Sequence, residues 1–177
     1  MERRLIVVLS SIACGLVLLT DALYIVIINA QGPTPQPYIA RFVAGYLAVL
    51  AALLVVALIA RPEIVPIRVA LRAAASGGLF TVGFLASSPI AVPLVTAGFL
   101  AFFALRATAR ETRSRPARLS GLVAAAVAVA LLLTGLEVTQ RVIVCPEQGT
   151  SAGGGSGLVT GPYQYECNNG QLRYHSG

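Results

Sequence analysis

The run LSGLVAAAVAVALLLTGLEVTQRVIV, residues 119–144, decides how this chain is organised. As a helix rising about 1.5 Å per residue it is long enough to cross about 30 Å of hydrocarbon. Arg106, Arg110, Arg113, Arg115 and Arg118 stand just before it, and Cys145 follows it. Arginines gather on the cytoplasmic side of a membrane, whereas paired cysteines persist on an oxidising side. The two ends of this run therefore orient the protein.

The rest of the composition agrees with a lipid solvent. Of 177 residues 56% are hydrophobic and 11% charged, with a mean hydropathy of +0.80, against about 25% charged residues in an ordinary soluble domain. A chain so apolar would expose large greasy patches to water. The formal charge of +6 does not point to nucleic acid, because the arginines sit in short loops between apolar runs and no groove-reading motif accompanies them. Every basic residue apart from His175 is arginine and none is lysine, a coding bias that suits a GC-rich bacterium.

Working outward, the first apolar run is Leu5 to Asn29. Its start, Met1-Glu2-Arg3-Arg4, is like that of a secretory signal, and Ser11-Ile12-Ala13-Cys14-Gly15 resembles a bacterial lipoprotein cleavage box. The run continues to Ile28 with no polar mature region, too long for a signal core of about 7–15 residues. An uncleaved first span is expected. Pro33, Pro35 and Pro37 then predict a stiff, extended loop. A second span runs from Tyr38 to Ala60, and Arg61-Pro62-Glu63 and Pro66 break the chain before it returns. Residues 69–105 are too long for one crossing. Ser87-Ser88-Pro89 in their middle predicts a hairpin of two helices, 69–86 and 90–105, with Pro93 in the first turn of the second, where proline is tolerated; the alternative is a single kinked span or a re-entrant pair.

The expected architecture is thus an all-α integral membrane protein with five transmembrane helices, at about 5–29, 38–60, 69–86, 90–105 and 119–144. Charge placement supports the odd number. With the N-terminus inside, the inner side holds Arg3, Arg4, Arg61, Arg68, Arg72 and the five arginines from 106 to 118, and the outer side only Arg41, Arg141 and Arg173. Four spans would put the basic 106–118 loop outside and the tail cysteines in a reducing cytoplasm, against both rules. Localisation in the plasma membrane follows, N-terminus cytoplasmic and C-terminus extracytoplasmic.

Beyond the bundle (1–144) lies an extracytoplasmic tail, 145–177. Its glycine- and serine-rich start, Gln148 to Gly157, reads as mobile. Alternating residues around Asn168-Asn169-Gly170 predict a β-hairpin. A lone hairpin is marginal in water, and a Cys145–Cys167 disulfide would anchor it, contributing about 3 kcal/mol in the chain-entropy picture.

Few polar residues fall inside the spans. Asp21 lies about 12 Å below the outer boundary, counted back from Asn29 along a helix, where an unpaired charge costs about 2.5–3.5 kcal/mol. Glu137 lies at similar depth in the last run, with Arg141 four residues on, the favourable order for a helical ion pair. Thr134 and Gln140 extend the polar stripe, Tyr24 lies a turn from Asp21, and Arg41 is near the same boundary. One reading makes Asp21 and Glu137 a shared outer-leaflet site for a proton or cation, tuned by Arg141 or Arg41. The other makes Glu137–Arg141 a self-satisfied pair with Arg141 reaching to the interface, and gives Asp21 a structural partner. The second is favoured.

Small residues recur at helical spacing: Ala40, Ala44, Ala48 and Ala52; Ala70, Ala74 and Gly78, with Ala73 and Gly77 beside them; Gly121 and Ala125. Such faces let helices approach closely in lipid. Cys14 alone reads as a small packing residue. His175 is the single histidine, so no histidine-ligated haem or metal cluster is expected in the bilayer. Neither a Cys-x-x-Cys pair nor a phosphate loop is present. No cofactor and no catalytic constellation are expected. The expected function is an accessory or structural subunit of a larger membrane complex, whose partners are the lipid bilayer and other membrane subunits. The alternative is a small homo-oligomeric transporter or channel linked to protons or cations through Asp21 and Glu137.

Overall fold

The structure, a computed structural model, describes residues 2–31, 36–59, 67–86, 90–112, 115–157 and 161–176. The proline loop at 33–35, the break at 61–66, the Ser87–Pro89 turn and Arg113 lie outside the described residues. The elements are α1 (Glu2–Gln31), α2 (Pro37–Leu58), α3 (Arg68–Leu85), α4 (Ala91–Thr112), α5 (Arg115–Gln140), β1 (Thr150–Gly157), β2 (Gly161–Asn168) and β3 (Gln171–Ser176).

Helices form where the apolar runs predict them, with informative differences. Four of the five, over Arg4–Ala30, Pro37–Leu58, Ala91–Arg110 and Arg115–Gln140, are long and apolar enough to cross a membrane. The third is not, because Arg68, Arg72 and the polar or small run Ser76-Gly77-Gly78 dilute its apolar content. The fourth helix runs on past Leu105 to Thr112, since arginine is a good helix former and the helix does not stop where hydrophobicity does. The fifth ends at Gln140 rather than Val144. There Arg141 N–H donates to the Val138 carbonyl and Val142 N–H to that of Thr139, both at 3.3 Å, a tightened final turn of the kind that ends helices.

The chain divides into two compact units, Met1–Val26 with Ala44–Leu132, and Ile27–Val43 with Leu133–Gly177. In the first, α3 is the packing hub. It buries Val69, Arg72 through Ser76, Gly78, Leu79, Val82 and Gly83. Its glycines make this possible: Gly78 faces Tyr46 and Leu50 of α2, and Gly77 faces Ala125 of α5. Gly121 of α5 in turn faces Val69. Against α4, the Phe80 ring meets Phe99 edge-on at 4.9 Å and packs on Gly98, while Gly83 meets Val95. These pairs run in opposite directions along the two helices, so α3 and α4 are antiparallel. Lipid supplies no drive for apolar helices to associate, and close backbone approach through small residues takes its place. The helix poorest in apolar side chains is accordingly the best covered by its neighbours.

The second unit holds the sheet, antiparallel in the order β1-β2-β3. Asn169 (φ 46°) and Gly170 (φ 81°) connect β2 to β3, two left-handed residues in the tight turn the Asn-Gly signal predicts. The tail differs from expectation at β1. The segment read as mobile, 148–157, is a strand over Thr150–Gly157, and the hairpin is a three-stranded sheet. The reason lies in the register: Gly153 pairs with Tyr165 and Gly155 with Tyr163, and each tyrosine ring lies where a glycine side chain would be. Aromatic cover of edge glycines compensates for their missing side chains. A third strand also removes the marginality of a lone hairpin. Asn169 finishes the closure, its side-chain oxygen accepting from Gly149 N–H and its own N–H donating to the Gly149 carbonyl, both at 3.0 Å.

Candidate functional site

A polar junction lies in the second unit, where the sheet meets helix ends. Cys145 and Cys167 are disulfide-bonded, with Cα atoms 5.4 Å apart. Cys167 packs with buried Tyr163 and Tyr165 against Ile143 and Cys145, so the bridge forms one wall of a small core under the sheet. Alternation along β2 puts residues 163, 165 and 167 on the covered face and Gln164 and Glu166 outward. The Tyr163 hydroxyl donates to the Gln140 carbonyl at 3.0 Å. Gln36, just before α2, donates through Nε2 to that same carbonyl and to the Tyr163 hydroxyl, both at 3.1 Å. Gln140 is the last residue of α5, so its carbonyl has no intrahelical donor. A glutamine and a tyrosine from remote parts of the chain supply the missing bonds. Tyr163 also stacks on Tyr174, ring centroids 5.7 Å apart.

The predicted polar residues divide between the units. Arg41, Glu137, Gln140 and Arg141 belong to the second and Asp21 to the first. Glu137 and Arg141 form the expected i,i+4 pair, at a long 3.9 Å. Arg41 is exposed on α2. Gln140 takes part through its backbone carbonyl, a role its residue type does not announce. Neighbouring Thr139 bonds back to the Gly135 carbonyl at 2.7 Å, and the Phe42 ring occupies the place of a Gly135 side chain.

In the first unit Asp21 is 7% exposed and ends the covered stripe of α1 formed by Ile6, Ser10, Ala13, Cys14, Val17 and Thr20. Its Oδ1 and the Ser10 hydroxyl have no hydrogen-bond partner among the described residues. Cys14 is buried, its thiol directed at the Ala51 carbonyl at 3.8 Å.

Sequence reasoning did not single out Arg72, a loop-side arginine in the charge count. It is 4% exposed, donating to the Thr108 hydroxyl on α4 and, at 3.5 Å, to the Ala57 carbonyl. Thr108 donates onward to the Ala104 carbonyl at 2.7 Å. One turn away, Arg68 donates to the Ile59 carbonyl at 2.8 Å. Both arginines thus meet carbonyls at the C-terminal end of α2, where the helix leaves acceptors open and its dipole attracts cations. Their spacing of four was visible in the sequence; that another helix ended beside them was not.

Comparisons of the chain with protein-family models, with curated proteins and with solved structures find no match.

Proposed function

We propose that this is a multi-pass protein of a bacterial plasma membrane that serves as an accessory or structural subunit of a larger membrane complex. The observation that carries the reading is the tail. A disulfide and the Gln36–Gln140–Tyr163 hydrogen bonds hold a three-stranded sheet at helix ends, while β3 is an edge strand with Leu172 45% and Tyr174 43% exposed. Uncovered sheet edges invite pairing with another chain. In the membrane, Gly45, Ala48 and Ala52 of α2 are exposed, and a Cβ added at Gly45 would meet nothing within 4 Å. These small residues are left open for a partner helix.

The orientation in this proposal has the N-terminus cytoplasmic, five crossings and the tail outside. Two features support it: the arginines at the 106–118 end of α4 and α5, and a disulfide that suits an oxidising compartment. The third crossing in this proposal is α3, whose Arg72 is covered by neighbouring helices and whose half-exposed Arg68 lies at its first residue.

The test is affinity purification of the full chain in a mild detergent. Membrane proteins co-purifying in fixed proportion, and lost from a Gly45→Leu/Ala48→Leu variant that still inserts, are the expected result. A wild-type chain that is always monomeric when extracted counts against it. A reporter after Gly177 active only in the cytosol counts against the orientation.

One observation favours a second reading, a homo-oligomeric proton- or cation-linked transporter. The Asp21 carboxylate is buried and one of its oxygens lacks a partner, and intramembrane acids commonly mark ion pathways. Glu137 would be the second acid. Loss of ion-dependent flux into liposomes in Asp21→Asn and Glu137→Gln, with expression unchanged, would put this reading first.

A further inference from the structure

In the first unit a cleft of about 470 Å³ opens between the N-terminal half of α1 and the C-terminal half of α4, lined by Leu5, Leu9, Phe103, Arg106, Ala107 and Arg110. Its two ingredients are spatially ordered. Leu5 and Leu9 lie one turn apart on α1, and Phe103 and Ala107 one turn apart on α4, giving apolar walls. Arg106 and Arg110, also one turn apart, are exposed in the last two turns of α4. Among the described residues no acidic side chain lines the cleft and neither arginine forms an ion pair.

We infer that this cleft is a binding site for an anionic phospholipid, its phosphodiester held between Arg106 and Arg110 and an acyl chain lying along Leu5, Leu9 and Phe103. Charge complementarity selects this occupant. Two like charges at i,i+4 repel each other on a helix, and an anion between them turns that repulsion into two attractions. Guanidinium groups grip phosphate oxygens in bidentate fashion. The apolar walls exclude a small hydrophilic anion as the preferred guest, because leucine and phenylalanine gain nothing from it. Basic clefts between membrane helices are a recognised setting for acidic lipid headgroups. A second cleft, between α3, α4 and α5, has mostly apolar walls with one arginine, Arg118, among the described residues and serves as an internal control. The inference needs only that the helices sit in a bilayer, and it stands whether or not the chain is an accessory subunit.

The test is native mass spectrometry of the full-length protein in a neutral detergent. Phosphatidylglycerol and phosphatidylcholine with identical chains are offered together. A preference of about thirtyfold for phosphatidylglycerol is expected from two guanidinium groups, falling to parity in Arg106→Gln/Arg110→Gln and persisting in Arg118→Gln. Wild-type protein photo-crosslinked to phosphatidylglycerol carrying a diazirine on its acyl chain should be labelled at Leu5, Leu9 or Phe103, a readout that needs no variant to fold. Equal binding of the two lipids overturns the site. So does a preference that survives the double substitution, equal loss in Arg118→Gln, labelling elsewhere, or displacement of the lipid by inorganic phosphate alone.

Discussion

The ring of Tyr165 lies over Gly153 of the neighbouring strand, so that a Cβ on that glycine would sit 2.6 Å from the tyrosine oxygen and 2.8 Å from the carbon bearing it. Tyr163 stands in the same relation to Gly155, its oxygen 2.8 Å from where a Cβ would be. The two pairs join a glycine-rich strand to a strand with rings, and they convert a linker-like composition into the edge of a sheet.

Substituting Gly153 should therefore loosen β1 first. Gly153→Val is expected to cost about 1–3 kcal/mol, the usual range for overpacking, even though valine favours strands. Limited proteolysis should show faster cleavage within 149–160 and unchanged membrane insertion. Tyr165→Ala should expose the same segment by removing the cover.

Tyr163 and Gln36 share one acceptor, so their contributions should be coupled. Tyr163→Phe keeps the stack on Tyr174 and loses the hydroxyl that bonds Gln140 and Gln36, an expected cost of about 1 kcal/mol. Gln36→Ala should cost a similar amount. The double variant should lose less than the two single losses combined, because residues in one hydrogen-bond network are not independent. Thermal unfolding of the four proteins in one detergent checks this.

Among the arginines of α3, burial predicts the order of damage. Arg72→Leu removes a covered guanidinium bonded to Thr108 and Ala57 and should destabilise the first unit by about 2 kcal/mol or more. Arg68→Leu, half-exposed and bonded to Ile59, should cost less, and Thr108→Ala should cost about 1 kcal/mol. Midpoints of thermal aggregation in detergent should fall in that sequence, Arg72→Leu lowest.

Two glycines separate packing from composition. A Cβ at Gly78 would come within 2.6 Å of the Tyr46 oxygen and 2.8 Å of a Leu50 methyl, so Gly78→Ala should lower stability by about 1–3 kcal/mol. Gly45 has open space around it, and Gly45→Ala should be neutral or raise stability by up to about 1 kcal/mol through helix propensity. Equal effects at both positions would deny that α2 packs on α3 through Gly78.

The elements themselves were legible because their causes are local. Long apolar runs make membrane-length helices, Asn169-Gly170 makes a hairpin turn, and two cysteines in a polar tail pair. The third helix was legible as a helix. Its part as the covered hub was not, because small residues carry no mark that says whether their neighbour is lipid or protein. Strand β1 was misread for a related reason: glycine has no side chain with which to declare a partner, and its order comes from tyrosines some ten residues away.

Within the polar junction, the i,i+4 spacing of Glu137 and Arg141 and the cysteine pair could be read directly. The roles of the Gln140 carbonyl and of Gln36 could not, nor, in the first unit, could that of Arg72, since each depends on a helix end meeting a remote side chain through folding.

Periodicity, charge placement and turn chemistry act over a few residues, and so the order of amino acids alone determined helices, hairpin and disulfide. Which glycine meets which ring, which guanidinium closes which helix end, and where an arginine pair borders an apolar cleft depend on contacts between distant segments. Those were decided only when the segments packed.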